Sequence, residues 1–360
     1  MPRSADVKEL VRRMQASAEP CVSQAVDLTN FRFKNDEQAM WLEHVAGQAG
    51  FEKLCFRRDP SKPKDQDINL AVTQFCKALK IPGPFFQKNR PQMRENLVRN
   101  WISALDPESP KAQFQLRLRV GVNHTTLRAM LPLDVVDLPH HRLLNALLPD
   151  DGTAVDILGE LSGDTQDCRT LEAQFLLGDE FALLGESFRL GIYLWASELG
   201  CSDVIVEAFL HHVKEGWSLN MTFGPGALMV QRYKGIQPLD MEMLLRTVVP
   251  DLLKMVPRIK DQAEACANEE FPGIEACFDI VSGSLSGKNA SALLREIDCS
   301  GTTIGEDGED KVLSGTDHPM WGFLGFARGM SRVAKDEAGE SRRQLERAAG
   351  ALLHLSFEKK

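Results

Sequence analysis

The sequence predicts an α+β protein, an antiparallel β-meander core with helices gathered in the N- and C-terminal parts, and three patterns carry that expectation. Residues 185–233 hold short runs that alternate apolar and polar positions between Gly, Pro and Asn breaks, the period of two of a half-buried strand. Residues 114–131 alternate more cleanly still. Both ends of the chain instead repeat apolar residues every three or four positions, the spacing of a helix with one buried stripe. The expected organisation is a helical region with a basic loop over residues 1–110, a β core over 111–235 and a helical region over 236–360, packed as one unit.

In chain order, Val7, Leu10, Val11 and Met14 place a helix over residues 5–17, and Val26, Leu28, Phe31 and Phe33 suit an extended run over 23–33. Asn35-Asp36 has the character of a helix cap and points to a second helix through Trp41, Leu42 and Val45. Two prolines among residues 57–64 exclude a core element, so Arg57, Arg58, Lys62 and Lys64 belong to an exposed loop. Ile68, Val72, Phe75, Cys76 and Leu79 stripe a helix that stops before Pro82-Gly83-Pro84. Pro91 suits the first turn of the next helix, with Met93, Leu97, Val98, Trp101 and Leu105 turned inward. Lys88, Arg90 and Arg94 then sit near the tip of a helical hairpin.

The β region opens with Phe114, Leu116, Leu118, Val120 and Val122 on one face and Gln115, Arg117 and Arg119 on the other. Leu127, Ala129 and Leu131 continue the alternation on a returning strand, which puts Arg128 on the polar face as well. A short helix over 139–148 precedes strands expected over 155–161, 171–177, 188–195, 204–213, 219–223 and 227–233. Residues 239–266 read as helical, with Pro250 and Pro257 kinking or dividing the stretch. Short helices around 274–281 and 290–297, a mobile loop rich in Gly, Thr, Asp and Glu over 299–314, a helix from Asp317-His318-Pro319 and an amphipathic helix over 341–357 complete the reading. No repeat occurs at solenoid periods.

With 360 residues, 43% hydrophobic and 26% charged, the chain can bury one large core or two modest ones. No run approaches the length of a membrane span and the start has no apolar signal region, so the expectation is a cytoplasmic protein without a membrane partner. The eight cysteines include no Cys-x-x-Cys pair and read as reduced thiols serving as small core residues, so neither a metal nor a cofactor is expected. Gly283-Ser284-Leu285-Ser286-Gly287-Lys288-Asn289 has the glycine spacing of a phosphate loop less one residue, and Asn289 stands where a magnesium-holding hydroxyl belongs. His211 and His212 are neighbours on a strand and point to opposite faces, and His140-His141 lacks a partner one helical turn on. No catalytic residue is assigned. Glu198, in a turn, reads either as a functional carboxylate or as a turn-stabilising acceptor.

Charge is placed unevenly, and this is the strongest functional signal. The chain carries net −9, yet residues 51–142 hold 16 Lys+Arg against 9 Asp+Glu, which leaves the acid excess to the rest. A basic third can bind a polyanion locally while the whole stays soluble. Arg117, Arg119 and Arg128 share a hairpin face without interleaved carboxylates, and guanidinium groups in that arrangement take phosphate oxygens bidentately. The alternative for the same residues is an ordinary charged, solvent-facing side of an antiparallel sheet. The candidate nucleic-acid contacts are therefore Arg57, Arg58, Lys62, Lys64, Lys88, Arg90, Arg94, Arg117, Arg119 and Arg128, with Trp101, Phe85 or Phe86 as stacking residues if exposed.

A family resemblance adds to this. Leu190-Gly191-Ile192, then Ser197-Glu198-Leu199-Gly200, then an apolar strand carrying Phe209 resembles the uncharacterised phage/plasmid-like protein family. Ile81-Pro82 with Phe85, Phe86 and Lys88, followed by Pro91, Arg94 and Asn100-Trp101, is similar to that family's N-terminal helix pair, and Trp321-Gly322-Phe323, Ala327, Leu345-Glu346 and Ala349-Gly350 to its closing helices. The resemblance implies a phage, prophage or plasmid accessory protein. Two function classes follow. One binds single-stranded DNA or RNA in an annealing or recombination-like role; the other is a non-enzymatic homo-oligomeric structural or protein-interaction factor that joins basic to acidic regions of successive copies.

Overall fold

Phe31 and Phe33 alternate with Arg32 and Lys34, and past them the Asp36 carboxylate accepts the Ala39 amide at 2.6 Å, closing a turn. The chain returns as an antiparallel partner in which Phe33 faces Leu42 and Lys34 faces Trp41. This overturns the helix expected from Asn35-Asp36. Asp closes a turn as readily as it caps a helix, and pairing Phe33 with Leu42 buries both, an outcome a lone amphipathic helix there does not offer.

The computed structural model describes residues 4–17, 21–36, 39–47, 53–56, 66–107, 109–120, 125–133, 139–148, 155–160, 170–183, 185–200, 204–221, 238–268, 287–288, 291, 302–304, 310–312, 329–331, 333–334 and 339–355. The first half contains α1 (Ser4–Ser17), β1 (Cys21–Asp27), β2 (Phe31–Asn35), β3 (Met40–His44), β4 (Leu54–Cys55), α2 (Gln66–Ala78), α3 (Gly83–Lys88), α4 (Pro91–Ser103), β5 (Gln113–Val120) and β6 (Thr125–Pro132). Then come α5 (His140–Leu147), β7 (Val155–Glu160), β8 (Leu171–Leu183), β9 (Glu186–Ala196), β10 (Ile205–His212) and β11 (Ser218–Asn220). The C-terminal part adds α6 (Pro238–Lys254), α7 (Val256–Asn268), the strand pair β12 (Thr302–Ile304) and β13 (Asp310–Val312), and α8 (Gly339–Leu355).

These elements make an α+β fold with two main sheets. One has the order β1-β5-β6-β4-β3-β2 and is antiparallel except where β4 runs parallel to β6. The other is the expected meander, β11-β10-β9-β8-β7, antiparallel throughout. Each has its own core. Phe33, Phe56, Phe75 and Phe86 meet between the first sheet and α2, α3 and α4, with ring centroids 5.1 to 6.1 Å apart. Burying each such ring stabilises by about 1.5–3 kcal/mol. The meander turns Phe175, Ile192, Leu194 and Leu210 toward α1, α5, α6, α7 and α8. Strand pairing crosses residue 110, because β1 lies beside β5 from Cys21 opposite Arg119 to Asp27 opposite Gln113.

Two further expectations are corrected and one is met. Met93 and Trp101 on α4 are 58% and 38% exposed, while Val98 and Ile102 are buried. The helix is rotated because Glu95 accepts the Asn35 amide at 2.8 Å and so turns that side of α4 to the sheet. Residues 239–266 do divide, at Met255, leaving Pro250 inside α6. Within 299–314, residues 302–304 and 310–312 pair as strands rather than forming a loop throughout. The strand expected over 227–233 and the helices around 274–281 and from Asp317 lie outside the described residues, as does all of 290–297 but Ser291.

Candidate functional site

Pro82 precedes α3 and Pro91 opens α4, and only residues 89–90 separate the two helices. Arg94 fixes the corner. Its guanidinium donates to the Phe86 carbonyl at 3.0 Å and the Gln87 carbonyl at 2.6 Å, where α3 ends, and lies over the Phe86 ring. Carbonyls at a helix C-terminus favour such a cation. Arg94 is thus a brace within the molecule rather than the outward-facing cation expected.

Outside this brace lies an open cleft of about 800 Å³. Phe85, half exposed, forms one wall, and Lys88, Arg90, Met93, Asn96 and Asn100 contribute to the rest. Lys88 and Arg90 are exposed and enter no ion pair among the described residues. The lining contains no Asp or Glu. Of the expected stacking residues, Phe85 at 50% and Trp101 at 38% are exposed, whereas Phe86 is buried in the core. Trp101 stands one helical turn beyond Leu97, on the flank of the cleft.

The arginine face differs from its expectation. Arg117 and Arg128 are buried, 6% and 3% exposed, and Arg119 is half-buried. Arg117 pairs across the strands with Ala129 and Leu118 with Leu127, so Arg128 is the extra residue of a bulge. The Arg117 guanidinium meets the Ser23 hydroxyl of β1. These residues do lie opposite the Phe114, Leu116 and Leu118 face, as the period of two requires, but that second face is covered. Against part of it lies the 197–200 turn between β9 and β10. Leu199 packs with Ala129, Leu131 and Leu70, and Gln74 of α2 donates to the Leu199 carbonyl at 2.8 Å while accepting the Met130 amide at 2.9 Å. Gly200 has φ +67, and an added Cβ would meet Leu131, so glycine suits this position twice over.

Glu198 sits where the turn meets the arginines. Its carboxylate accepts the His140 backbone amide at 2.6 Å, capping α5 from a distant segment, and lies 3.7 Å from the His140 ring. Burial holds the Glu198 carboxyl above the usual carboxylate range, with the His140 amide, Arg128 and Arg117 pulling the other way. Burial also pushes the His140 imidazole down to about 4, although the Ala196 carbonyl beside it favours the charged form. Of the two readings of Glu198, the acceptor role is the one these contacts fill, at α5 rather than within its own turn.

Other polar groups are engaged in holding the fold. Tyr193 donates to Glu172 at 2.5 Å, Arg347 of α8 forks onto Glu207 of β10, and Arg343 lies 3.8 Å from the Trp195 ring centroid. His211 meets Ser218 at 3.0 Å and His212 stacks on Trp217, on opposite faces of β10. Cys55 and Cys76 are buried, and burial pushes the Cys76 thiol up to about 11. Among the described residues, no three His, Cys, Asp or Glu converge as a metal site, and no helix is long and apolar enough to cross a membrane. Arg57, Arg58, Lys62 and Lys64 lie outside the described residues. Sequence reasoning missed Ser23, Gln74 and His140 as partners of the arginine face and the turn, because each reaches it through a contact distant in sequence.

Comparison with known protein families, with curated proteins and with solved structures finds no match.

Proposed function

We propose that the protein binds single-stranded nucleic acid, held at the α3–α4 cleft. The observation that carries this is the make-up of the cleft: an exposed aromatic ring, two cations outside any described ion pair, four amide side chains and no carboxylate, in a chain of net charge −9. A base has a π-face for Phe85 and edges for Asn96 and Asn100, while Lys88 and Arg90 meet the phosphates between bases. Trp101 extends the same surface along α4. An annealing or recombination-like role in a phage or plasmid accessory protein is the setting this reading extends to.

A salt titration with labelled single-stranded oligonucleotides tests it. The Lys88→Gln, Arg90→Gln double variant should flatten the slope of log affinity against log salt by about 1.4, roughly 0.7 for each phosphate that is no longer neutralised. Phe85→Ala should weaken binding by about 1–3 kcal/mol, and a half-exposed ring can be removed without emptying the core. Wild-type protein that binds no oligonucleotide at about 50 mM salt, where backbone contacts are strongest, removes the proposal. If it also sediments as an oligomer, the homo-oligomeric interaction factor is the better reading.

A further inference from the structure

The six-stranded sheet ends in β2 on one side and β1 on the other, and the two edges are built differently. On β2, Arg32 and Lys34 stand between Phe31, Phe33 and Asn35, and the Glu95 carboxylate takes up the Asn35 amide. Edge cations, and side chains that occupy an edge amide, keep a strand from pairing with another chain. Among the described residues β1 has neither. Its seven positions pair with β5 alone there, from Cys21 opposite Arg119 to Asp27 opposite Gln113. It contains no Lys, Arg or Pro. Its one charge is turned back along the chain, since the Asp27 carboxylate accepts the Thr29 amide at 2.8 Å and the Thr29 hydroxyl at 2.6 Å. Val22 is 46% exposed, and Ala25 is exposed as well.

What suits this edge follows from its own sequence. Val22, Gln24 and Val26 share one face of the sheet with Leu118, Leu116 and Phe114, and Ser23 and Ala25 share the other. The five residues have the same character read in either direction: valine at each end, small residues next to them and an amide in the middle. An antiparallel copy centred on Gln24 therefore sets Val22 against Val26, Ser23 against Ala25 and Gln24 against Gln24. Matched cross-strand pairs support a ladder, and two opposed amides can hydrogen-bond each other. The pairing covers Val22 and brings no like charges together.

We propose that β1 is a dimerisation edge, at which a second copy of this chain pairs β1 with β1 antiparallel about a two-fold axis at Gln24, joining two six-stranded sheets into one. Such an axis stands perpendicular to the sheet, so both α3–α4 clefts lie on the same side of it. The dimer goes beyond the nucleic-acid reading and does not rest on it. It also differs from the joining of basic to acidic regions, a heterologous contact that salt weakens, because β1 pairs through backbone and uncharged side chains.

Sedimentation without nucleic acid tests the edge. Wild-type protein should pass from monomer to dimer as its concentration rises to about 100 μM, the range of a small interface, and should stay paired from about 50 to 500 mM salt. Gln24→Lys puts like charges directly opposite each other across the axis and should weaken the dimer by about tenfold or more, as should Gln24→Glu. An equimolar mixture of the two variants should pair again, because each copy then meets the opposite charge. Circular dichroism checks that each variant keeps its fold. Should the charged variants fail to fold, Gln24→Cys decides. Opposed residues on antiparallel strands stand about 4.5–5.5 Å apart at Cα, within reach of a disulfide, so mild oxidation should join the two introduced thiols. A monomer at every concentration, a dimer that both charges leave unchanged, an assembly that salt dissolves, or oxidised Gln24→Cys protein without that disulfide overturns the edge. Because no oligonucleotide is present, failure of the cleft reading leaves a positive result standing.

Discussion

His140 shows how one buried ring ties stability to pH. Its side chain is 1% exposed, and the fold holds it neutral by lowering its pKa from 6.5 to about 4. A group whose charged form is disfavoured in the fold leaves stability intact above the unfolded pKa and removes it as pH falls through the window from 6.5 toward 4. Glu198 acts in the opposite sense: its raised carboxyl favours the folded state on the acid side and offsets part of the loss. Urea denaturation should therefore find wild-type protein weaker by up to about 2 kcal/mol near pH 5 than near pH 7, and His140→Gln should lose most of that dependence. An unchanged pH dependence in the variant would place the titration elsewhere.

On the scale of elements, α8 shows a helix whose position sets a residue against its ordinary propensity. Alanine usually stabilises a helix relative to glycine by about 1 kcal/mol. At Gly350, however, an added Cβ would fall 1.6 Å from the Asn220 carbonyl oxygen of β11, which is backbone and cannot swing aside. The helix lies this close because Arg347 reaches Glu207 while Leu345 and Ala349 join the meander core. Gly350→Ala should accordingly reverse the usual sign and destabilise by about 3 kcal/mol, read as a lowered Tm. A gain in Tm would mean that α8 is not held against β11. Similarly, Arg94 and Glu95 decide which side of α4 faces the sheet, and with it which residues of that helix are left to form the cleft.

For the whole molecule, two sheets with separate cores meet, among the described residues, at the 197–200 turn, through Gln74 and a few apolar side chains. Cooperative unfolding requires an interface that couples the cores strongly, and the cluster of Ala129, Leu131, Leu199 and Leu70 is small beside either core. Urea unfolding should show two transitions. Trp41 reports on the first sheet, while Trp195 and Trp217 report on the meander. Variants that keep only one reporter group should give different midpoints, whereas coincident midpoints would show that the contact couples the two cores after all.

Much of this architecture was legible locally. The period of two in β5, β9 and β10 follows from strand geometry, and the apolar stripe of α2 and the proline start of α4 follow from short-range sterics; α3, over Gly83–Lys88, stands where only a break was expected. The charge asymmetry is a property of composition. The hairpin at residues 31–44 was not legible, because an Asp that can cap a helix or close a turn is decided by whether Leu42 finds Phe33. Nor was the burial of Arg117 and Arg128. Periodicity assigns residues to a face, but which face meets solvent depends on what packs over it, and here Leu199 packs on Ala129 and Leu131 beside them from a strand connection far along the chain. The sequence alone determined the strands from β5 to β11, most of the described helices, and the grouping of the arginines on one side. Only the tertiary structure decided that Arg117 and Arg128 are buried and that, of the described candidates, Lys88 and Arg90 are the exposed ones, because burial is a property of contacts between distant segments.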